Sequence, residues 1–197
     1  MPDLILASGS QSRRALLAGA GVEAETIKPN LDEGAFKAAM RADGMSIRDQ
    51  AMRLAELKAL KISEQRAGLV IGGDQMLSLG DRAFDKPADM AGARAHLKAL
   101  SGQSHHLETA ITIAESGRIV WKHLARPELV MRPLSDTFID AYLASVGEDI
   151  LSTVGGYKLE SLGSQLFTEI KGDYFSILGL PLLPLLDYLR TRGVIQT

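Results

Sequence analysis

Six charged residues, spread over five segments of the chain, are of the types that bind a polyphosphate together with a divalent cation. The cations are Arg13, Arg14, Lys58 and Lys86, and the carboxylates are Glu33 and Asp74. Lysine and arginine neutralise phosphate oxygens, whereas carboxylates are the hard ligands that Mg²⁺ and Mn²⁺ prefer. This inventory suits a metal-assisted phosphate site, although spacing alone does not bring the six residues together.

The polar loop Ser8-Gly9-Ser10 lies between a predicted buried strand, Leu4 to Ala7, and a predicted helix. Free N–H groups and the positive dipole end of a helix start favour an anion. Arg13 and Arg14 fall in the first turn, where cations are disfavoured, so they indicate a bound anion there. The alternative is that both arginines face solvent. The loop lacks the spacing and the Lys-Ser/Thr ending of a Walker motif.

Lys58 lies where a predicted amphipathic helix, Ile47 to Gln65, should be apolar. Its neighbours on that face are Ala51, Leu54, Ala55 and Ile62. Burial of an unpaired ammonium is costly, so either the lysine stem reaches the surface at the helix edge or the charge meets a fixed anion.

Asp74 directly follows a second predicted buried strand, Leu69 to Ile71, and two glycines. The glycines would let a ligand approach the backbone closely, and ligands of α/β sheets bind beyond the carboxyl ends of strands. Asp74 could instead be a turn aspartate that opens a hairpin. Lys86 precedes Pro87 and follows Asp85, and such a charged pair is commonly just solvated.

Several other chemistries are excluded by composition and motif. The chain has no cysteine, which removes disulfides and thiolate nucleophiles, and no Gly-x-Ser-x-Gly elbow. Its four histidines lack the spacing of a metal site. A net charge of -2 and 5% aromatic residues argue against nucleic-acid binding.

The elements that must position these residues alternate between helical and strand patterns. Further predicted elements are a strand from Glu23 to Lys28, a hairpin from Gln75 to Phe84, a helix from Ala88 to Leu100, strands from His105 to Ala114 and from Arg118 to Val130, a helix from Ser135 to Leu143, a loop or strand from Gly155 to Glu160, a strand from Phe175 to Leu178 and a helix from Leu182 to Arg190. The mixture predicts an α/β or α+β domain with a mixed sheet.

The apolar runs are too short for a signal peptide or a membrane span, which leads us to expect a cytoplasmic protein with no membrane partner. The longest run, Ile177 to Leu186, carries two prolines and belongs either to the core or to a dimer interface. We expect this run in the core, and the sequence leaves a homodimer as a possibility.

The charged residues lie in motifs that occur in a recognisable order. The motifs are Leu6-Ala7-Ser8-Gly9-Ser10-x-x-Arg13, Asp32-Glu33, Leu54-Ala55-x-x-Lys58-Ala59, Gly73-Asp74-Gln75, Lys86-Pro87 and Leu100-Ser101-Gly102. This pattern, which covers essentially the whole chain, resembles the Maf family of nucleoside triphosphate pyrophosphatases, also described as septum formation inhibitors. A single Maf-like domain over residues 1–197 is therefore expected.

The resemblance implies an elongated α/β fold similar to inosine triphosphate pyrophosphatases, with a mixed twisted sheet flanked by helices and a central cleft between two lobes. It implies hydrolysis of a nucleoside triphosphate to the monophosphate and diphosphate with Mg²⁺ or Mn²⁺. Asp74 would accept the proton of the attacking water and, with Glu33, hold the metal. The residues that would bind the triphosphate are Ser8, Ser10, Arg13, Arg14, Lys58 and Lys86.

The resemblance also bears on the base. One family branch acts on dTTP and UTP, and another prefers 7-methyl-GTP. Gln75, Lys158 and Glu160 are similar to the methylated-purine branch, whereas Ser12 matches neither the arginine of the first branch nor the aromatic residue of the second. A dTTP or UTP preference, and a nucleotide-binding regulator of septum formation with little turnover, are the alternatives.

Overall fold

A computed structural model describes residues 3–196, in which eight strands, seven α-helices and three short 3₁₀ segments form. The strands are β1 (Leu4–Ala7), β2 (Glu25–Thr26), β3 (Leu69–Leu79), β4 (Arg82–Phe84), β5 (Ser104–Glu115), β6 (Arg118–Ala125), β7 (Glu128–Met131) and β8 (Phe167–Lys171). The α-helices are α1 (Gln11–Gly19), α2 (Glu33–Ala42), α3 (Ile47–Ser63), α4 (Met90–Leu100), α5 (Asp136–Val146), α6 (Tyr174–Ile177) and α7 (Leu182–Thr191). The 3₁₀ segments are Gly147–Ser152, Val154–Gly156 and Leu162–Leu166. The predicted mixed α/β class is confirmed.

One unit contains the described residues of 1–75, 109–125 and 173–197. Its strands follow one another in the order β2, β1, β3 and β5, and β6 pairs with β5. Strand β1 is parallel to both neighbours, with Ile5 opposite Glu25 and Ala7 opposite Gly72. Parallel strands are buried on both faces, which is why β1 is apolar at every position.

The two faces of β1 pack into separate apolar clusters, because successive side chains of a strand point to opposite sides. Leu4 and Leu6 belong to the larger cluster, with residues of α1, β5 and α7. Ile5 and Ala7 lie in the other cluster together with Ile62 of α3. The apolar run that begins at Ile177 contributes Leu180, Leu182 and Leu185 to the larger cluster, as the core prediction required.

The other unit contains residues 76–108 and 126–172. In it, β4 pairs with the second half of β3, β5 pairs with β7, and β7 pairs with β8, all antiparallel. The hydroxyl group of Tyr157 lies 2.8 Å from His105 Nε2, and both rings pack against Phe167. Strands β3 and β5 each contribute residues to both units.

Several predicted elements were wrong in type or extent. The strand predicted from Phe175 to Leu178 is helical, because Asp173 caps α6 by accepting a hydrogen bond from Ser176 N at 2.9 Å. The predicted strand at Leu69 does not end at Ile71 but continues through both glycines to Leu79, so Asp74 lies inside β3.

One predicted strand is divided in the structure, and two elements of the structure were not predicted. Pro127 has no N–H group to donate, and the strand predicted from Arg118 to Val130 divides there into β6 and β7. For the segment from Gly155 to Glu160, the loop alternative is confirmed and the strand alternative is wrong, because the 3₁₀ segment ends at Gly156 and irregular chain and a turn follow. Helix α2 and strand β8 were not predicted.

No helix within residues 3–196 is both long and apolar enough to cross a membrane.

Candidate functional site

The loop after β1 forms its own hydrogen bonds and prepares the start of α1. Ser8 is buried, and its Oγ accepts a hydrogen bond from Ser10 N at 3.1 Å. Ser10 is the N-cap of α1, because its Oγ accepts from Arg13 N at 3.3 Å. The two predicted phosphate-binding serines therefore hold the loop in shape, which leaves the first backbone N–H groups of α1 without helical partners.

Arg13 turns inward from α1 and is only 8% exposed. Its Nε donates to the Gly179 carbonyl at 2.7 Å, and its Nη1 donates to Ser8 Oγ at 3.2 Å. Burial lowers the pKa of the guanidinium, and the charges of Asp74 and Glu33 oppose that shift. A Cβ at Gly73 would stand 3.0 Å from Arg13 Nε, so this glycine gives the arginine room over β3.

Lys58 is buried and meets a fixed anion, as one of its two interpretations predicted. Its Nζ lies 2.6 Å from Asp74 Oδ1 and 3.0 Å from Glu33 Oε1. Helix α3 and strand β3 bring Lys58 and Asp74 together, and Asp32 caps α2 so that Glu33 stands in its first turn. The two carboxylates, which are 41 positions apart in sequence (74 minus 33), thus converge on one ammonium.

Close packing between α3 and β3 sets the Lys58–Asp74 distance. A Cβ at Gly72 would stand 2.7 Å from Ala59 N and nearer still to the Ala55 carbonyl oxygen. Glycine at this position lets the helix lie directly on the strand. Lys58, which is one residue before Ala59, reaches Asp74 two residues beyond Gly72.

The carboxylates retain free coordinating oxygens. Asp74 Oδ2 is buried and has no hydrogen-bond partner among residues 3–196, whereas the Glu33 side chain is 43% exposed. No group of three or more His, Asp or Glu side chains able to hold a metal occurs among residues 3–196. Mg²⁺ is commonly bound by one or two carboxylates, with substrate phosphates and water completing its shell. These two carboxylates fit that arrangement.

The four central charges balance. Arg13 and Lys58 carry two positive charges, and Glu33 and Asp74 carry two negative charges. A nucleoside triphosphate with one divalent cation brings a net negative charge, so the cluster can accept it when further cations or backbone N–H groups contribute.

Two other predicted residues on α1 are more exposed than Arg13. Arg14 is exposed and lines a cavity of about 390 Å³ together with Leu17 and Thr26, and neither Arg13, Lys58 nor Asp74 lines that cavity. Ser12 is half-buried on α1.

The remaining predicted residues differ in their surroundings. Gln75 is half-buried, and its Nε2 donates to Thr109 Oγ1 at 2.8 Å and to the carbonyls of Ser176 and Ile177. Lys86, Lys158 and Glu160 belong to the other unit. There Lys86 and Glu160 are exposed, and Lys158 pairs with Asp149. The roles predicted for these residues stay predictions.

Sequence reasoning missed Gly179, Thr109 and Lys28. The methylene stem of Lys28 lies within 4 Å of where a Gly9 Cβ would be, beside the Ser8–Ser10 loop. Gly179 and Thr109 reach Arg13 and Gln75 from distant parts of the chain, so no local spacing could have indicated them.

Comparisons with known proteins agree with the geometry. The family model described as "Maf-like protein" matches residues 3–192. A protein of Hyphomonas neptunium named nucleoside triphosphate pyrophosphatase is 65% identical over 192 residues, covering 98% of this chain and 97% of the relative. A Mesorhizobium japonicum protein named 7-methyl-GTP pyrophosphatase is 50% identical, covering 98% of both chains. A Rhodospirillum rubrum protein named nucleoside triphosphate pyrophosphatase is 48% identical, covering 99% of this chain and 97% of its own length.

Proposed function

The chain belongs to the Maf family, and from this we propose that it hydrolyses nucleoside triphosphates to the monophosphate and diphosphate. The observation that carries the proposal is the convergence of Glu33 and Asp74 on Lys58 Nζ, with the Asp74 Oδ2 atom free. Arg13 adds a buried cation at the same place. Metal-dependent hydrolysis of a phosphoanhydride requires groups of these types.

Asp74 has two oxygens in different surroundings, which suits it to act on water. Oδ1 accepts a hydrogen bond from Lys58 at 2.6 Å, and this contact fixes the rotation of the carboxylate. Oδ2 has no donor within the described part of the chain and can accept a proton from the attacking water. Lys58 donates to Asp74 and forms an ion pair with Glu33, and an ammonium with three N–H groups can also donate to a phosphate oxygen.

Glu33 and Asp74 would hold the divalent cation, Mg²⁺ or Mn²⁺. When bound, that cation supplies positive charge that neutralises phosphate oxygens in the transition state. Arg13 and the N–H groups at the start of α1 bind the phosphates, with Ser8 and Ser10 holding the loop that presents them. The phosphate-binding role predicted for Lys86 remains part of the proposal.

For the substrate base we propose a modified purine of the 7-methyl-GTP type. A glutamate at position 160 accepts hydrogen bonds from the N1–H and N2 amine of guanine and complements a cationic methylated ring. Gln75, Lys158 and Ser12 complete the predicted specificity residues. The name of the Mesorhizobium japonicum relative supports this choice, and a dTTP or UTP preference is the alternative.

A triphosphate panel tests the activity. Purified protein is incubated with 7-methyl-GTP, GTP, UTP or dTTP and with Mg²⁺ or Mn²⁺, and the phosphate products are separated. Diphosphate release supports the proposal, whereas release of single phosphate refutes it. Nucleotide binding without hydrolysis across the panel would favour a regulator of septum formation.

Asp74→Asn tests whether Asp74 is the general base that accepts the proton of the attacking water. The amide oxygen can still accept from Lys58, so the fold is retained while kcat falls by about 100-fold or more. Asp81→Asn, at the exposed turn between β3 and β4, is the matched control and keeps full activity. Near-normal activity of Asp74→Asn would remove Asp74 from catalysis.

Glu160→Gln tests the base preference, because an amide presents a donor where the carboxylate presents only acceptors. We expect the ratio of kcat/KM for 7-methyl-GTP over UTP to fall by about tenfold. An unchanged ratio would contradict the role of Glu160.

We further propose that the enzyme works in the cytoplasm, clearing noncanonical nucleotides from the pool, with no nucleic-acid or membrane partner. A chain without cysteine suits that reducing compartment. Sedimentation of the purified protein distinguishes a monomer from the homodimer that the sequence left open.

A further inference from the structure

The buried guanidinium of Arg13 depends on a backbone carbonyl for its orientation. Of its five N–H groups, the one on Nε donates to the Gly179 oxygen at 2.7 Å, and one on Nη1 donates to Ser8. A buried arginine that lost its acceptor would turn toward another, since unpaired buried donors are costly. The Gly179 carbonyl therefore decides which N–H groups of Arg13 remain for phosphate oxygens.

The position of that carbonyl requires glycine for a conformational reason. Gly179 has a φ of +101°, a region that residues with a side chain rarely adopt. Space is not the constraint, because a Cβ would lie 3.7 Å from Arg13 Nη2 and 3.9 Å from Gln75 Oε1, which are ordinary contacts. A substitution would thus rotate the backbone and its carbonyl, without an initial clash.

The same segment also holds Gln75. Gln75 Nε2 donates to the carbonyls of Ser176 and Ile177 at 3.0 and 3.1 Å, and Thr109 Oγ1 donates to the Ser176 carbonyl. Carbonyls only accept, so the amide nitrogen must face them and Oε1 is directed away. The Oε1 atom lies near Gly179, on the side where Arg13 lies.

The segment is capped at its start and anchored in the core at its end. At its start, Asp173 Oδ1 accepts from Ser176 N, which closes the short helix α6. Directly after Gly179, Leu180 is fully buried in the larger apolar cluster. The cap and the buried Leu180 therefore fix the backbone that presents the carbonyls of residues 176, 177 and 179.

We propose that residues 173–179 are a positioning element of the site, acting on Arg13 through the Gly179 carbonyl and on Gln75 through the carbonyls of Ser176 and Ile177. This inference rests on the proposed function in one respect, namely that Arg13 binds substrate phosphates. It gives the apolar run after Ile177 a role besides core formation: that run anchors a phosphate-binding arginine that lies 166 residues earlier in the chain.

The central test is Gly179→Ala. We expect KM for the triphosphate to rise by about tenfold, the loss associated with one misplaced charge-assisted hydrogen bond, while kcat falls by less. Gly193→Ala is the matched control, because Gly193 also has positive φ (+66°) but a Cβ there would meet nothing within 4 Å. Gly193→Ala introduces a side chain at a positive φ away from Arg13, so we expect this variant to keep the wild-type KM.

A double-mutant cycle separates positioning from a general structural effect. Arg13→Gln removes the guanidinium, so adding Gly179→Ala should lower kcat/KM by less than about twofold further. Fully multiplicative losses, or an equal rise of KM in Gly193→Ala, would overturn the inference. Should Gly179→Ala not fold, Gly179→Asn replaces it, because asparagine tolerates positive φ better than other residues with a side chain.

Equilibrium binding keeps this inference distinct from the proposed function. Calorimetric titration with inorganic diphosphate and Mg²⁺ needs no turnover, and we expect about tenfold weaker binding to Gly179→Ala than to the wild type or to Gly193→Ala. If the wild type hydrolyses no triphosphate but this difference holds, the proposed function fails and the positioning element stands. Equal binding by all three proteins would refute the positioning element, whatever the activity.

Discussion

Lys58 Nζ lies 2.6 Å from Asp74 Oδ1 in a pair whose two side chains are each less than 10% exposed. Buried ion pairs contribute little net stability, because desolvation of both charges offsets their attraction. This pair does fix the orientation of the carboxylate, with Oδ1 on the lysine and Oδ2 free. Since the same ammonium contacts Glu33, Lys58 couples the orientations of both acidic residues.

Replacing Lys58 with methionine should lower both the activity and the stability. The apolar side chain matches the length of the stem but leaves Asp74 without its closest cation, so we expect kcat/KM to fall by about 100-fold, roughly 3 kcal/mol. Arg13 remains to offset part of the buried charge. Lys61→Met is the control, since Lys61 lies one turn further along α3 and donates to the Asn30 carbonyl. Activity of Lys58→Met within threefold of wild type would contradict this role.

Glu33→Gln should change the metal requirement specifically. A neutral amide is a weaker ligand for Mg²⁺ than a carboxylate, so the Mg²⁺ concentration at half-maximal activity should rise by about tenfold or more. At saturating metal, KM for the triphosphate should change far less. Glu23→Gln, an exposed glutamate on the approach to β2, serves as the control. An unchanged metal dependence would exclude Glu33 as a ligand.

The candidate site could be predicted in part because some of its signals are local. A lysine on the apolar face of a helix is unusual enough to indicate a fixed anion, and Lys58 contacts two carboxylates. Two arginines at a helix start likewise indicated an anion, although only Arg13 turns inward. The sequence showed two cations at a helix start, but only the fold showed which of the two arginines turns toward the site.

Other features could not be predicted because their causes are distant in sequence. The glycines before Asp74 were interpreted as a strand end, yet Gly72 is required by the backbone of α3, which lies directly on β3. The short apolar run at Phe175 is compatible with strand or helix, and the Asp173 cap decides for the helix. The contact of Arg13 with Gly179 spans most of the chain, so no spacing rule reaches it.

Gly72→Ala should destabilise the protein strongly. The added methyl group would overlap the Ala55 carbonyl and Ala59, both of which are backbone or rigid positions, so α3 must move away from β3. Overpacking of this kind costs about 1–3 kcal/mol, measured as the free energy of unfolding in urea. The movement should also separate Lys58 from Asp74 and lower kcat. Gly19→Ala, in α1 where nothing lies within 4 Å, should be neutral or slightly stabilising.

The stability of the protein should fall as the pH is lowered from 7 to 5, because His105 is buried in the neutral form. Burial lowers the pKa of His105 to about 4, with a smaller effect from neighbouring His106, whereas an unfolded histidine titrates near 6.5. Between those two values the unfolded chain binds a proton that the folded chain does not. Linkage then removes about 2 kcal/mol of stability between pH 7 and pH 5, and the loss from this group ends below about pH 4.

Urea unfolding at pH 7, 6 and 5 measures this slope. In His105→Gln the titrating group is absent, while the amide can still form a hydrogen bond with the Tyr157 hydroxyl, the partner that His105 Nε2 has at 2.8 Å. The variant should therefore lose about 2 kcal/mol less than the wild type over the same range, whatever its stability at pH 7. Equal slopes for the two proteins would show that His105 takes up its proton in the folded state as readily as in the unfolded chain.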